Sequence, residues 1–140
     1  MNGESVVSGL NFRIHHTMLP VANLDRSREF YTQLPGMKEM GRRSDQNRKV
    51  EVAHVGYGER ETKPSIELTM DVSETAPAEV RRTGIHVAVQ VSDLCRLCEV
   101  LENNHVTFVQ PLKDFGGRRL TAWVRDPDAH VIELSEIRSA

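Results

Sequence analysis

The segments SIELTM, residues 65–70, and VIELSE, residues 131–136, place the tripeptide Ile-Glu-Leu at two points of one chain. Each segment is a short apolar run of the kind that forms a β-strand, with a glutamate in its middle. A single glutamate between isoleucine and leucine could be incidental. Two of them, Glu67 and Glu133, indicate that the chain repeats a structural unit and that the unit carries a carboxylate.

The likeness continues upstream of both glutamates. HTMLPVANLDRSREFYTQL begins at His16, HVAVQVSDLCRLCEVLENN begins at His86, and apolar positions of the two segments align. Each copy predicts a strand, a helix and then further strands, so we expect an α+β fold of two βαβββ modules in which helices back a curved mixed sheet. The 140 residues fit one domain, with repeats at about 12–72 and 83–137 and a flexible N-terminal tail over 1–11.

Local signals give the bounds of the elements. Asn23 and Ser92 are predicted to cap the two helices, and the turn residues of RDPDAH, 125–130, predict a tight hairpin turn. The basic stretch GRRSDQNRK, 41–49, is predicted to be an exposed loop. The predicted helices span 24–34 and 93–103, and the predicted strands span 14–21, 50–57, 65–71, 85–91, 106–110, 119–125 and 130–136.

Strand geometry turns four polar side chains to one face of the predicted sheet. Because side chains alternate along a strand, the isoleucine and leucine of each Ile-Glu-Leu segment face the helices, and the glutamate faces away from them. The same alternation turns His16 and His86 to the face of Glu67 and Glu133. Two imidazoles and two carboxylates suit a divalent first-row metal and leave room for water or substrate. Each residue alone could be a solvated residue on an exposed sheet, but their equivalent places in the repeat favour ligands.

The other histidines and the cysteines lack this support. His15 belongs to the opposite strand face. Cys95 and Cys98 form a C-x-x-C pair, but no second pair completes a zinc site, and Cys98 fits the buried stripe of a helix. Three further histidines are interpreted as surface residues: His54, His105 and His130.

Composition narrows the class of protein. A hydrophobic fraction of 39%, a charged fraction of 27% and a net charge of −2 are ordinary for a globular protein, and the Arg-Arg pairs are scattered, so we expect no nucleic-acid partner. No apolar run approaches the roughly 20 residues that cross a bilayer. The N-terminal residues lack the charged and apolar regions of a signal peptide. We therefore expect no membrane association and a cytoplasmic location.

Several motifs carry a family resemblance that spans roughly residues 14–136. HHTMLPVANLDRSREFYTQLPGMK, VGYG, SIELT, GIHVAV and VRDPDAHVIEL resemble glyoxalase I (lactoylglutathione lyase) of the vicinal oxygen chelate superfamily. The resemblance implies paired βαβββ modules and a homodimer whose active sites lie between subunits. It also implies four metal ligands, which match the set that the strand faces indicate: His16, Glu67, His86 and Glu133.

The resemblance further implies a reaction. The hemithioacetal of methylglyoxal and glutathione is isomerised to S-lactoylglutathione by a proton shift between adjacent carbons, through a metal-stabilised enediolate. Glu133 is implied as the favoured base, and Glu67 can share the work. One divalent metal per site is expected; nickel or cobalt is favoured because the chain is short, and zinc or manganese also suits the donor set.

The implied substrate pocket departs from the family pattern at two positions. The family usually carries a basic residue where this chain has Pro20, and an asparagine where it has Asp71, and both changes weaken the expected hold on a glutathione carboxylate. Arg82 and Lys113 keep two substrate-binding positions, although each could also be a plain surface charge. The sequence therefore predicts a complete set of metal ligands and a glutathione pocket in which two of these four binding positions are changed.

Three other classes of protein remain open. Another metal-dependent lyase, isomerase or epimerase with a non-glutathione substrate would explain Pro20 and Asp71. An iron(II) dioxygenase needs only two histidines and one carboxylate, so Glu67 would be a ligand that it does not require. A metal-free binding or resistance protein needs no ligands and favours an aromatic cleft, whereas this chain is 5% aromatic.

Overall fold

The computed structural model describes residue 10 and residues 14–75 and 85–138. Within them the chain forms two modules of the same order, each with one helix and one four-stranded mixed sheet, so the expected α+β fold is confirmed. The predicted N-terminal tail lies outside the described residues, apart from Leu10. The elements are β1 (His16–Pro20), α1 (Leu24–Gln33), β2 (Lys38–Asp45), β3 (Val50–Gly56), β4 (Ser65–Asp71), β5 (His86–Gln90), α2 (Leu94–Asn103), β6 (Phe108–Phe115), β7 (Arg119–Arg125) and β8 (Val131–Ile137).

The two sheets have equivalent topologies. Their strand orders are β1-β4-β3-β2 and β5-β8-β7-β6. In each sheet the first strand pairs in parallel with the last, and the other neighbours are antiparallel, because the helical connection carries the chain across the sheet before it returns through two hairpins. β1 and β5 are therefore edge strands, and each is hydrogen bonded to one neighbouring strand within its sheet.

Both helices begin at a side-chain cap. The side-chain oxygen of Asn23 accepts a hydrogen bond from the backbone N–H of Arg26 at 3.0 Å, as predicted for α1. In α2 the cap is Asp93, whose Oδ1 accepts from the backbone N–H of Arg96 at 3.1 Å, so the predicted cap at Ser92 was one residue early. No helix in the described part of the chain is long and apolar enough to cross a membrane.

The structure corrects the stretch predicted as a loop over 41–49. Residues 41–45 belong to β2, and only 46–49 form a turn. β2 is an edge strand with largely exposed side chains, so its sequence KEMGRRSD does not need the apolar alternation that marks a half-buried strand. The strand predicted at 106–110 lies further along the chain, at Phe108–Phe115. The turn predicted in RDPDAH is confirmed between β7 and β8.

One apolar core joins the two modules. Its buried members include Leu19 and Leu68 from the first sheet and Leu134 from the second. Tyr31 of α1 lines the same small apolar pocket as Leu134, so the helix of the first module packs against strands of the second. Cys98 is buried in this core, as predicted, and Cys95 is exposed.

A buried polar network also fastens α1 to the β7–β8 turn. The Tyr31 hydroxyl donates to Asp126 Oδ2 at 2.9 Å, and the Ser27 hydroxyl donates to Asp128 Oδ2 at 3.1 Å. Asp126 Oδ1 accepts from the backbone N–H groups of Asp128 and His130. Burial raises the pKa of Asp126 above its ordinary value. The turn that leads into β8 is thus held in place by the first module.

Candidate metal centre

β1 and β4 bring the first predicted ligand pair together. Their parallel register sets Met18 opposite Glu67, which places His16, two residues before Met18, on the same face as Glu67. His16 Nε2 lies 3.0 Å from Glu67 Oε2. The Glu67 side chain is only 8% exposed, whereas that of His16 is 37% exposed. The carboxylate therefore lies within the sheet surface and the imidazole at its edge.

β5 and β8 repeat this arrangement in the second module. Their register sets Ala88 opposite Glu133 and places His86 on the same face, with His86 Nε2 3.9 Å from Glu133 Oε2. The His86 ring contacts the ring of Trp123, at a centroid distance of 5.4 Å. Arg119 Nη2 lies 3.0 Å from Glu133 Oε1, so this carboxylate also has a cationic neighbour.

The first pair has the spacing that a divalent first-row ion requires, whereas the second pair, at 3.9 Å, is wider. Two donor atoms that each lie about 2.1 Å from an ion, at right angles to one another, are roughly 3 Å apart. The His16–Glu67 separation of 3.0 Å matches that spacing, and imidazole nitrogen with carboxylate oxygen is a donor set that such ions accept. Among the described residues, however, no group of three or more His, Cys, Asp or Glu side chains is disposed to hold an ion. Each module presents half of the predicted ligand set, and the halves do not meet within the described chain.

His54 is a member of the first half-site that the sequence analysis missed. It lies on β3 directly opposite Glu67 and is 2% exposed, so its interpretation as a surface histidine is wrong. Its Nδ1 is 2.9 Å from Ser65 Oγ, and its Nε2 is 3.5 Å from Glu67 Oε2. Burial lowers the pKa of His54, with a further contribution from the positive charge of Arg60, and this favours a neutral imidazole.

The remaining histidines divide between surface and interior. His105 is exposed, as predicted, whereas His130 is 1% exposed and its Nε2 lies against the backbone oxygen of Pro20, so the surface interpretation of His130 is wrong. His15 is exposed, and its Nδ1 lies 2.8 Å from Nδ1 of His16. His15 therefore contacts the back of a predicted ligand ring, although it belongs to the other strand face.

Lys113, one of the two predicted substrate-binding residues, lies on the sheet that carries Glu133. It pairs with Thr121 on β7, which in turn pairs with Ser135, two residues beyond Glu133, so Lys113 belongs to the face of the predicted ligands. Its ammonium group stands over the Phe115 ring, 4.9 Å from the centroid. Arg82, the other predicted substrate-binding residue, lies outside the described residues.

The two departures from the family pattern also lie on the ligand face of the first module. Pro20 pairs with Thr69, two residues from Glu67, and Asp71 follows two residues further along β4. The Asp71 carboxylate is exposed and accepts hydrogen bonds from the hydroxyl and the backbone N–H of Ser73, and these bonds lower its pKa. The open face next to the first half-site therefore carries a negative charge.

Comparison with known proteins identifies the class. A sequence profile of the Glyoxalase/Bleomycin resistance protein/Dioxygenase superfamily matches residues 13–134, and the chain belongs to this superfamily. It is 35% identical over 131 residues to the lactoylglutathione lyase of Escherichia coli O157:H7, across 91% of this chain and 95% of that protein. It is also 35% identical over 131 residues to the probable lactoylglutathione lyase of Vibrio cholerae, across 93% of this chain and 94% of that protein.

A solved structure agrees with this placement. The trypanothione-dependent glyoxalase I of Leishmania major superposes with a TM-score of 0.76 at 31% identity, over 89% of this chain and 86% of that one. Within its superfamily the chain is therefore a glyoxalase I-like member.

Proposed function

We propose that the protein is a divalent-metal-dependent lactoylglutathione lyase that isomerises the hemithioacetal of methylglyoxal and glutathione to S-lactoylglutathione. The observation that carries this proposal is the pair of repeat-equivalent imidazole–carboxylate contacts, His16 with Glu67 and His86 with Glu133, on the ligand faces of the two sheets. The identity of 35% to lactoylglutathione lyases over nine-tenths of the chain supports the reaction and the substrate.

The four residues of these pairs would hold the ion. When bound, a nickel or cobalt ion, or alternatively zinc or manganese, supplies positive charge that stabilises negative charge developing on the two substrate oxygens. The carboxylates supply the base. One of them removes the proton from the carbon that bears sulfur and delivers it to the adjacent carbonyl carbon, while the hydroxyl proton passes to the neighbouring oxygen. Glu133 is the better candidate because its side chain is 18% exposed against 8% for Glu67.

We further propose a homodimer in which each site takes His16 and Glu67 from one subunit and His86 and Glu133 from the partner subunit. β1 and β5 carry the two histidines at the edges of their sheets, so a second chain can approach either strand. The separation of the half-sites within the described chain supports this arrangement. A complete site then requires two chains.

Binding of the substrate is proposed to depend on positively charged side chains. Lys113 on the ligand face, with Arg82, would bind carboxylates of a glutathione adduct, because an ammonium or guanidinium group pairs with a carboxylate. A cytoplasmic location is part of the proposal, since glutathione keeps thiols reduced in the cytosol and both cysteines of this chain are free thiols.

A second candidate function is a lyase or isomerase of the same superfamily that acts on a substrate other than a glutathione adduct. The observation that favours it is the charge on the ligand faces. Asp71 adds a negative charge beside the first half-site, and Arg119 adds a positive charge beside Glu133. A glutathione adduct is not required to explain either residue.

Turnover by metal-stripped protein that is re-supplied separately with nickel, cobalt, zinc and manganese tests the proposal. We expect S-lactoylglutathione formation with at least one ion, and a loss of about 10²- to 10⁴-fold in kcat for Glu67→Gln and Glu133→Gln. Glu51→Gln is the matched control, because Glu51 is a half-buried β3 carboxylate that contacts Ser44. Metal binding without turnover would favour the second candidate, and failure to bind any of the four ions would contradict both.

A further inference from the structure

The imidazole of His54 contains a buried polar atom that the fold does not satisfy. His54 is 2% exposed, and among the described residues its Nε2 has no hydrogen-bond partner. Buried polar atoms are nearly always hydrogen bonded, because an unsatisfied donor or acceptor costs about 1–3 kcal/mol. The carboxylate of Glu67 lies close by, with its Oε2 3.5 Å from Nε2, slightly too far for a hydrogen bond.

The other ring nitrogen of His54 decides which tautomer is present. Nδ1 lies 2.9 Å from Ser65 Oγ. If the serine hydroxyl donates to Nδ1, the proton of the neutral ring is on Nε2 and points to the Glu67 carboxylate. If Nδ1–H donates instead, a lone pair on Nε2 faces the lone pairs of a carboxylate, which is repulsive. The electrostatics therefore favour the tautomer with the proton on Nε2.

We propose that His54 is a positioning residue for Glu67, fixed by Ser65 and donating Nε2–H to Glu67 Oε2 once the carboxylate engages the ion. The proposal rests on the proposed function, since it takes Glu67 to be a metal ligand. Thr69 Oγ1 lies 3.3 Å from the other oxygen, Glu67 Oε1, so donation from His54 would hold the carboxylate from its second side. Ligand carboxylates supported in this way keep their orientation as the ion binds.

The second module has no histidine opposite its glutamate, and this difference between the modules bears on catalysis. The residue opposite Glu133 is Trp123, in the place that His54 takes opposite Glu67. Glu133 is contacted instead by the half-exposed Arg119. The repeat therefore provides one carboxylate that a buried neutral imidazole holds still and a second that stands in a more open setting. Glu67 is suited to be a fixed ligand and Glu133 to carry the proton.

The first test reads the tautomer and needs no metal. In metal-free protein labelled with ¹⁵N histidine, we expect the His54 ring at neutral pH to show a protonated Nε2 and an unprotonated Nδ1 in long-range ¹H–¹⁵N spectra. His54→Leu assigns the signal by removing it, and Ser65→Ala is expected to lose the strict preference for this tautomer. A proton on Nδ1, or an equal mixture of tautomers in the unaltered protein, would overturn the proposal.

The second test measures affinity for cobalt(II) by competition with a chromophoric chelator. His54→Leu is expected to weaken binding by about 10- to 100-fold, and His54→Gln, which keeps an N–H donor at similar reach, to recover most of the loss. His105→Asn is the matched control, because it removes an exposed imidazole at a residue with φ of 58°, a conformation that asparagine tolerates. Circular dichroism verifies that each variant is folded.

The outcomes separate this inference from the proposed function. Equal cobalt affinity of folded His54→Leu and unaltered protein would overturn the positioning role. A change in the visible cobalt(II) spectrum of His54→Leu that indicates loss of a coordinating nitrogen would also overturn it, because His54 would then be a ligand. If the unaltered protein binds no divalent ion, the proposed function fails, while the tautomer spectra still decide whether His54 donates to Glu67.

Discussion

Arg119 Nη2 lies 3.0 Å from Glu133 Oε1, so a predicted metal ligand of the second module already takes part in a salt bridge. The Arg119 side chain is 53% exposed, and such solvent-screened pairs contribute about 0–1 kcal/mol to stability. We expect this salt bridge to have a larger effect on the binding of a metal ion. A guanidinium beside Glu133 both occupies one carboxylate oxygen and repels a cation, whereas Glu67 has the neutral ring of His54 beside it.

Replacement of Arg119 by methionine is therefore expected to tighten divalent-ion binding. Removal of a screened charge near the site corresponds to roughly 0.5–1 kcal/mol, or about a two- to fivefold lower Kd. A competition titration with zinc or cobalt measures the change. Arg118→Met is the matched control, since it removes the same charge from the exposed β6–β7 turn one residue earlier. Weaker binding by Arg119→Met would mean that the arginine orients Glu133 rather than competing for it.

Asp71 provides a test of the substrate class. Its carboxylate accepts two hydrogen bonds from Ser73, and an asparagine oxygen can accept both, so Asp71→Asn is expected to leave the fold unchanged. Loss of the negative charge is expected to lower KM for the glutathione hemithioacetal by about two- to fivefold, with kcat nearly constant. Steady-state kinetics of Asp71→Asn beside Glu99→Gln, which removes an exposed carboxylate from α2, measure the effect. A KM that rises or stays fixed would indicate a substrate without a carboxylate at this position.

The regular alternation of apolar and polar residues made most of the fold predictable from the sequence. The strands predicted at 65–71 and 119–125 have those bounds in the structure, because each combines apolar residues with clear turn signals at its ends. Alternation along the strands also assigned His16 and His86 to the faces of the glutamates. Where alternation is absent, prediction failed. β2 is polar along most of its length because it is an exposed edge strand, and nothing in its sequence distinguishes it from a loop.

The part of the site that could not be predicted depends on partners far apart in the chain. His54 becomes a neighbour of Glu67 only through the β3–β4 register, and the long connection over 57–64 conceals that register from the sequence. Arg119 reaches Glu133 in the same way, across the β7–β8 ladder. Periodicity gives the face of a side chain on its own strand, but cross-strand contacts also require the lengths and bends of the loops.

The bond between Tyr31 and Asp126 is expected to contribute measurably to stability. Tyr31→Phe keeps the ring in the core but leaves Asp126 Oδ2 without its hydroxyl donor, which should lower the free energy of unfolding by about 1–3 kcal/mol. Urea denaturation measures the difference. Tyr57→Phe is the matched control, because the Tyr57 hydroxyl bonds to the backbone oxygen of Pro35 at an exposed position where water can replace it. If both substitutions lower the free energy of unfolding equally, the buried bond contributes no more to stability than the exposed one.

The ionisation of Glu136 is expected to make the free energy of unfolding depend on pH. Its Oε2 accepts from Arg138 Nε at 2.6 Å and its Oε1 from the backbone N–H of Leu94 at 2.8 Å, and these bonds, that from Arg138 most of all, hold its pKa below the ordinary value of 4.5. A carboxyl group with a lowered folded-state pKa stabilises the fold above its unfolded-state pKa, and the contribution is lost as pH falls through the folded-state value.

The measurement compares the unaltered protein with Glu136→Gln, which keeps an acceptor for Leu94 but cannot ionise. The unaltered protein is expected to have the higher free energy of unfolding at pH 7, with the gap between the two closing as the pH falls below about 4.5. Glu99→Gln, on the exposed side of α2, should show no such gap. A gap that stays constant across this range would mean that Glu136 acts through packing rather than through its charge.

Mixed dimers test whether each site is shared between two chains. Glu67→Gln and Glu133→Gln homodimers are each expected to be inactive, because every site then lacks one carboxylate. In a heterodimer of the two variants, one site collects both substitutions and the other is intact. Random exchange of subunits makes half of the dimers heterodimers, so activity should return to about a quarter of the unaltered level after the variants are unfolded together and refolded.

The control for this recovery is a mixture of Glu67→Gln with His16→Ala. Both substitutions lie in the same half-site, so every dimer in that mixture has a defect in both of its sites, and no activity is expected to return. Recovery in the first mixture and not in the second requires that His16 and Glu67 of one subunit act with His86 and Glu133 of the partner subunit. Without recovery in either mixture, while co-purification of an untagged variant with its affinity-tagged partner shows that heterodimers form, each site must be completed within a single chain.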